Sequence, residues 1–164
     1  MSVRLPIITP PPPEPWYAGG LKFSCTQCGN CCTGAPGYVW ISQQEVLRLA
    51  RHLKLTVQET VDRHCRIVGD RIALLERISA RGEYDCIFLR ESGGKRICQI
   101  YAVRPLQCRT WPFWTGNLSS REMWDVAAQR CPGMNKGRRY SVRQIEKLRD
   151  AEDWPGEKSE DASG

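Results

Sequence analysis

The run Cys25-Thr26-Gln27-Cys28-Gly29-Asn30-Cys31-Cys32 holds four of the chain's nine cysteines within eight residues. Four more, Cys86, Cys98, Cys108 and Cys131, follow singly beside turn, aromatic or basic residues. Thiolates are soft anionic donors, and several held together repel one another unless a metal neutralises them. These residues are therefore suited to wrapping a cysteine-ligated metal centre. In C-x2-C the chain turns back so that both sulfurs reach one small centre, as in a zinc knuckle. A third cysteine at the same interval, with a distant Cys-Pro, is the grip used for a cubane 4Fe–4S cluster. Here Cys25, Cys28 and Cys31 supply the loop, and Cys131-Pro132 is the remote candidate. The spacing favours an iron–sulfur cluster; the alternative is zinc, with the thiols divided into two sets of four. Adjacent side chains point in different directions, so Cys31 and Cys32 are not expected to serve one ion alike. Two centres, or one centre and a spare thiol, are expected.

At 164 residues the chain fits one domain with one core. Its apolar runs are too short to span a membrane, and the proline-rich start lacks the apolar stretch of a signal peptide. The expected compartment is the reducing cytoplasm, where cysteines point to metal or redox chemistry more than to disulfides. The odd cysteine count argues the same way. The net charge of +6 is uneven: residues 152–164 hold five acids and one base, leaving a basic body. That balance invites a nucleic-acid reading, but each four-thiolate centre on a divalent ion or a 2+ cluster adds −2, so part of the excess balances thiolates. Nucleic acid is not expected as a partner. Metal ions are, and a protein redox partner fits the iron–sulfur reading. No nucleotide-binding loop or hydrolytic triad is apparent, so no enzyme class follows.

The expected fold class is α+β: a small irregular single domain of short helices and β-hairpins wrapped around the centre. Residues 1–20 read as a Pro-rich extended arm, 21–152 as the metal-binding domain and 153–164 as an acidic disordered tail. Tyr38–Ile41 is a short strand candidate. Ser42-x-x-Glu45 and Thr56-x-x-Glu59 are capping boxes opening two helices. The second helix places Val57, Val61 and Cys65 on one stripe, which makes Cys65 a small core residue. A ligand role for Cys65 or His64 is the lesser reading, and His52 reads as a surface residue. Gly69-Asp70 suits the primed turn of a hairpin between residues 66–68 and 71–78. A second hairpin, 85–90 with 96–100 around Glu91–Lys95, brings Cys86 and Cys98 to neighbouring strands. Ala102–Arg109 forms a turn or short helix around Pro105, and Trp111–Trp114 is an aromatic lid candidate whose main job is core packing. A basic link follows Gly133, and Ser141-x-x-Gln144 caps a last helix.

Several blocks together carry a resemblance: Phe23-x-Cys25-x2-Cys28-Gly29-x-Cys31-Cys32, Cys86-x-Phe88-Leu89, Cys98-x-Ile100-Tyr101-x2-Arg104-Pro105-x2-Cys108-Arg109-x2-Pro112-Phe113 and Cys131-Pro132-Gly133. They resemble the CxxCxxCC cysteine-cluster family, the YkgJ-type group of zinc- or iron-chelating proteins, from about Phe23 to Gly133. The resemblance implies eight metal ligands: Cys25, Cys28, Cys31, Cys32, Cys86, Cys98, Cys108 and Cys131. Cys65 stands outside the pattern. It also implies that Arg104 and Arg109 lie at the cofactor, offsetting thiolate charge or donating hydrogen bonds that tune a cluster, the alternative being pairing with surface carboxylates. A related motif in flagellin lysine methylases is associated with an iron–sulfur cluster. The resulting expectation is a cysteine-ligated metal-binding protein, iron–sulfur in type, acting in electron transfer, redox sensing or redox-assisted modification. The alternatives are a zinc-stabilised binding module and a metal storage or delivery protein.

Overall fold

A computed structural model describes residues 11–151. The first ten residues of the expected arm, and the expected acidic tail, lie outside the described residues. The strands are β1 (Leu21–Phe23), β2 (Thr33–Gly34), β3 (Trp40–Ile41), β4 (Cys65–Val68), β5 (Arg71–Leu74), β6 (Glu76–Ile78), β7 (Tyr84–Cys86), β8 (Leu89–Ser92), β9 (Lys95–Cys98) and β10 (Met134–Tyr140). The helices are α1 (Gln43–Leu53), α2 (Val57–His64), α3 (Leu106–Thr110), α4 (Thr115–Leu118), α5 (Arg121–Arg130) and α6 (Val142–Arg149). The strands form four small antiparallel sheets, ordered β1-β10, β2-β7-β6, β3-β5-β4 and β8-β9. The mixed, irregular α+β character is as expected, and no described helix is long and apolar enough to cross a membrane.

Local chemistry accounts for much of this. Ser42, Thr56 and Ser141 each cap a helix in a reciprocal capping box with Glu45, Glu59 and Gln144. The β4–β5 hairpin turns at Gly69-Asp70, with Val68 opposite Arg71 and Gly69 at φ +62°. The β8–β9 hairpin turns at Gly93-Gly94, both at positive φ, as a type I′ turn requires.

Several expectations need correcting. Cys65 is not on the stripe of a helix: it ends α2 and opens β4, although it is buried as anticipated. The second hairpin is shorter than 85–100. Leu89 pairs with Cys98, while Cys86 belongs to β7 and pairs with Glu76 of another sheet. The basic link after Gly133 is strand β10, and the stretch before Cys131 is helix α5. The arm does not simply run along the surface at its end, because residues 16–19 form a turn that buries Tyr17.

Two hydrophobic cores result. The first gathers Tyr17, Leu21, Phe23, Phe113, Leu118, Trp124, Met134 and Ile145. Its rings interlock: Phe113 stacks on Trp124 at 5.8 Å and meets Phe23 edge-on at 6.0 Å. The second gathers Ile41, Val46, Leu49, Cys65, Leu74, Phe88 and Ile100, with the apolar stripe of α1 against the β3-β5-β4 sheet.

Candidate metal centre

The eight cysteines of the family pattern come to one cavity between these two cores. Cys131 packs against the first core, and Cys86 and Cys98 pack against the second. All eight family-pattern cysteines line one cavity of about 40 Å³, alongside Phe23, Leu74, Ile100, Pro105 and Trp111. That volume suits a compact inorganic group or a few waters. No histidine or carboxylate is among the described residues lining it. The ninth cysteine, Cys65, lies outside, where burial pushes its thiol up to about 11.

Each thiol reaches the cavity by a traceable route. Cys25 follows Ser24, whose amide donates to the Gly133 carbonyl at 3.1 Å, two residues beyond Cys131. A Cβ on Gly133 would lie 2.1 Å from the Ser24 carbonyl oxygen, so only glycine lets these segments approach so closely. Gly29 sits at φ +74°, with room for no side chain against Arg96 and Leu89 of the β8–β9 hairpin. Residues 30–32 then form a 3-10 turn, and Thr33 pairs with Asp85, setting the end of the loop beside the strand that carries Cys86. Cys98 ends β9, and Cys108 lies in α3. Helix α3 is anchored at Leu106, whose amide donates to Glu45 Oε1 at 2.7 Å, and at Gln107, whose side chain bonds Trp40 N at 2.6 Å and Tyr38 O at 2.9 Å.

The tight turn overturns one expectation. Cys31 and Cys32 do not diverge: their sulfurs lie 3.9 Å apart in the same cavity. Hydrogen bonding with the Cys32 sulfur is the main reason Cys31 and Cys98 both fall to about 7; Arg104's positive charge adds to the effect. Cys32 itself is pushed up by its hydrogen bonds to Cys31 and Cys98, with burial adding to the effect. Burial pushes Cys86 up to about 11 and raises Cys108 well above the usual thiol range.

A recurrent local bond accompanies this. The amide two residues ahead points at the sulfur for Cys25 (Gln27 N, 3.4 Å), for Cys86 (Phe88) and for Cys98 (Ile100). Such N–H···S bonds favour the thiolate and tune a bound cluster. Trp111 Nε1 donates to Cys131 Sγ at 3.4 Å. Of the expected aromatic lid, Trp111 alone lines the cavity, while Phe113 is core and Trp114 donates to the Gln107 carbonyl at 3.1 Å.

The two arginines part company. Arg104 lines the cavity with its guanidinium 3.7 Å from the Tyr101 ring centre, and Tyr101 in turn hydrogen-bonds Cys25. Arg109 is not a lining residue; it pairs with Glu45 at 3.4 Å and donates to the Arg104 carbonyl at 3.0 Å. Asn30 was not anticipated. Its Nδ2 donates to the Arg130 carbonyl at 2.6 Å, and its Oδ1 accepts from Arg96. Both partners are distant in sequence, so nothing local marks the residue.

The donor set fits zinc or iron: thiolates only, a basic side chain for charge balance and apolar walls. Among the described residues, no three donor side chains converge closely enough as placed to hold an ion.

Comparison with known proteins agrees with this chemistry. No solved structure matches the chain. An uncharacterized protein, MJ0661 of Methanocaldococcus jannaschii, is 33% identical over 97 residues, which cover 59% of this chain and 48% of that protein. The chain thus spans about half the length of this curated relative. The CxxCxxCC family model, described as "Putative zinc- or iron-chelating domain", matches residues 24–132, and the chain belongs to that family.

Proposed function

We propose that Cys25, Cys28, Cys31, Cys32, Cys86, Cys98, Cys108 and Cys131 together supply the thiolates of an iron–sulfur site, four to each cluster, in a protein of electron transfer or redox-assisted modification. The observation that carries this reading is the meeting of all eight thiols on one cavity between two cores. Bound there, a cluster would supply one-electron chemistry. The chain's own residues would hold it by thiolate, offset its charge through Arg104, donate backbone amides to sulfur and keep water away with Phe23, Leu74, Ile100 and Trp111. Arg109 would act through Arg104, by bonding its carbonyl.

A second reading is structural zinc in a binding module. It is favoured by the position of the cavity, since an ion joining thiols from both cores would staple them together. Anaerobic purification from unsupplemented cells, followed by iron, zinc and acid-labile sulfide assays and a visible spectrum, separates the two. Brown protein containing sulfide is the expected result. Colourless protein with stoichiometric zinc and no sulfide would establish the second reading instead.

A further inference from the structure

One side chain ties the cysteine loop to the segments bearing two remote cysteines. Asn30 lies between Cys28 and Cys31. Its amide nitrogen bonds the carbonyl of Arg130, the residue before Cys131, and its amide oxygen takes a hydrogen bond from Arg96, two residues before Cys98. Neighbouring contacts brace the same span. Gly29 lies directly against the Arg96 Cβ, and Arg130 Nη2 donates to the Thr33 carbonyl at 3.1 Å, one residue past Cys32. The loop is thus gripped just before Cys31 and just after Cys32, from two different elements.

The side-chain chemistry is specific. Making both bonds needs a donor and an acceptor on one short planar group, which an amide provides. Aspartate would lose the donor, and alanine both. We infer that Asn30 is a positioning residue, a latch that holds the Cys25–Cys32 loop closed over the cavity and slows loss of the bound metal. The inference rests on the metal-centre reading above.

The test uses the full chain loaded with cobalt(II) as the probe ion, with release to EDTA followed through the cobalt–thiolate absorption. Asn30→Ala is expected to bind the same amount of cobalt with the same spectrum, yet lose it roughly tenfold faster, as is typical when a partner outside the ligand set is removed. Arg96→Met, which keeps the contact with Gly29, is expected to shift release in the same direction and decides the matter if Asn30→Ala fails to fold. The double variant is expected to release no faster than Asn30→Ala alone, because the Arg96–Asn30 bond that Arg96→Met removes is already lost in Asn30→Ala. The metal-free melting temperature is expected to change little, since the Asn30–Arg130 bond is exposed to water, which can replace it. Release at the wild-type rate, multiplying effects in the double variant, or a metal-free melting temperature that falls in step with faster release would each overturn the latch. Cys28→Ser separates this from failure of the underlying reading. If Cys28→Ser keeps full cobalt, the thiolate centre itself is wrong; if it loses cobalt while Asn30→Ala behaves as wild type, only the latch is wrong.

Discussion

The two hydrophobic cores flank the same cavity but are built in opposite ways. The second is local and largely aliphatic, made from consecutive elements between Val39 and Val103 and organised by two capping boxes and a tight hairpin. The first is aromatic and long-range. Trp16 Nε1 donates to the Leu118 carbonyl at 2.8 Å, Arg149 reaches the Tyr17 hydroxyl at 3.0 Å, and β1 pairs with β10 from the other end of the chain. Contacts of short sequence separation form early and at low entropic cost, whereas closing the chain ends costs loop entropy first. The difference explains the placement of the site. Cys86 and Cys98 come from the locally folded half and Cys131 from the long-range half, so the proposed centre would couple the two.

Metal removal should break that coupling most severely. Thiolate-bound structural zinc carries on the order of 10 kcal/mol of apparent binding energy in small domains. Chelation of the loaded protein is therefore expected to lower stability sharply and to split one calorimetric transition into two, the aromatic core melting first. Next in size is Trp124→Ala, which empties a fully buried position and frees its 2.8 Å bond to Asn135, at a cost of about 3–5 kcal/mol. In the metal-free protein, near-ultraviolet circular dichroism should show loss of the aromatic core while far-ultraviolet signal from α1 and α2 persists.

Gln107→Ala tests the tie between the second core and the helix carrying Cys108. It leaves the Trp40 amide and Tyr38 carbonyl without their partner, which should cost about 1–3 kcal/mol in urea titration and weaken metal retention. Cys65→Ser should cost about 1 kcal/mol by burying a hydroxyl in the second core, yet leave metal content by elemental analysis unchanged. Loss of metal in that variant would place a ninth thiol in the site. Ser42→Ala, which removes one helix cap, is likewise expected to cost about 1 kcal/mol, with no change in metal content.

The same contrast governs what can be read from residues alone. Capping boxes and Gly turns are signals a few residues long, so α1, α2, α6 and the β4–β5 turn are legible in the chain itself. Helix α5 is not, because among its residues only Trp124 is fully buried and no continuous apolar stripe announces it. Strand β10 reads as a basic link because five successive exposed residues hide its pairing with three residues of β1. The identity of the eight cysteines is legible from motif blocks, whereas their arrangement is not. The 3-10 turn that brings Cys31 and Cys32 to one cavity depends on Gly29 fitting against a hairpin some sixty residues away in the chain. The separation of Arg104 from Arg109 depends likewise on Glu45, which sits on another helix.

The proposed centre is held by sulfur alone. X-ray absorption at the edge of whichever metal the purified protein carries tests it most directly. The expected result is an all-sulfur first shell at about 2.3 Å, reduced in occupancy by Cys28→Ser and unchanged by Cys65→Ser. A first shell dominated by nitrogen or oxygen in the wild-type protein would contradict it.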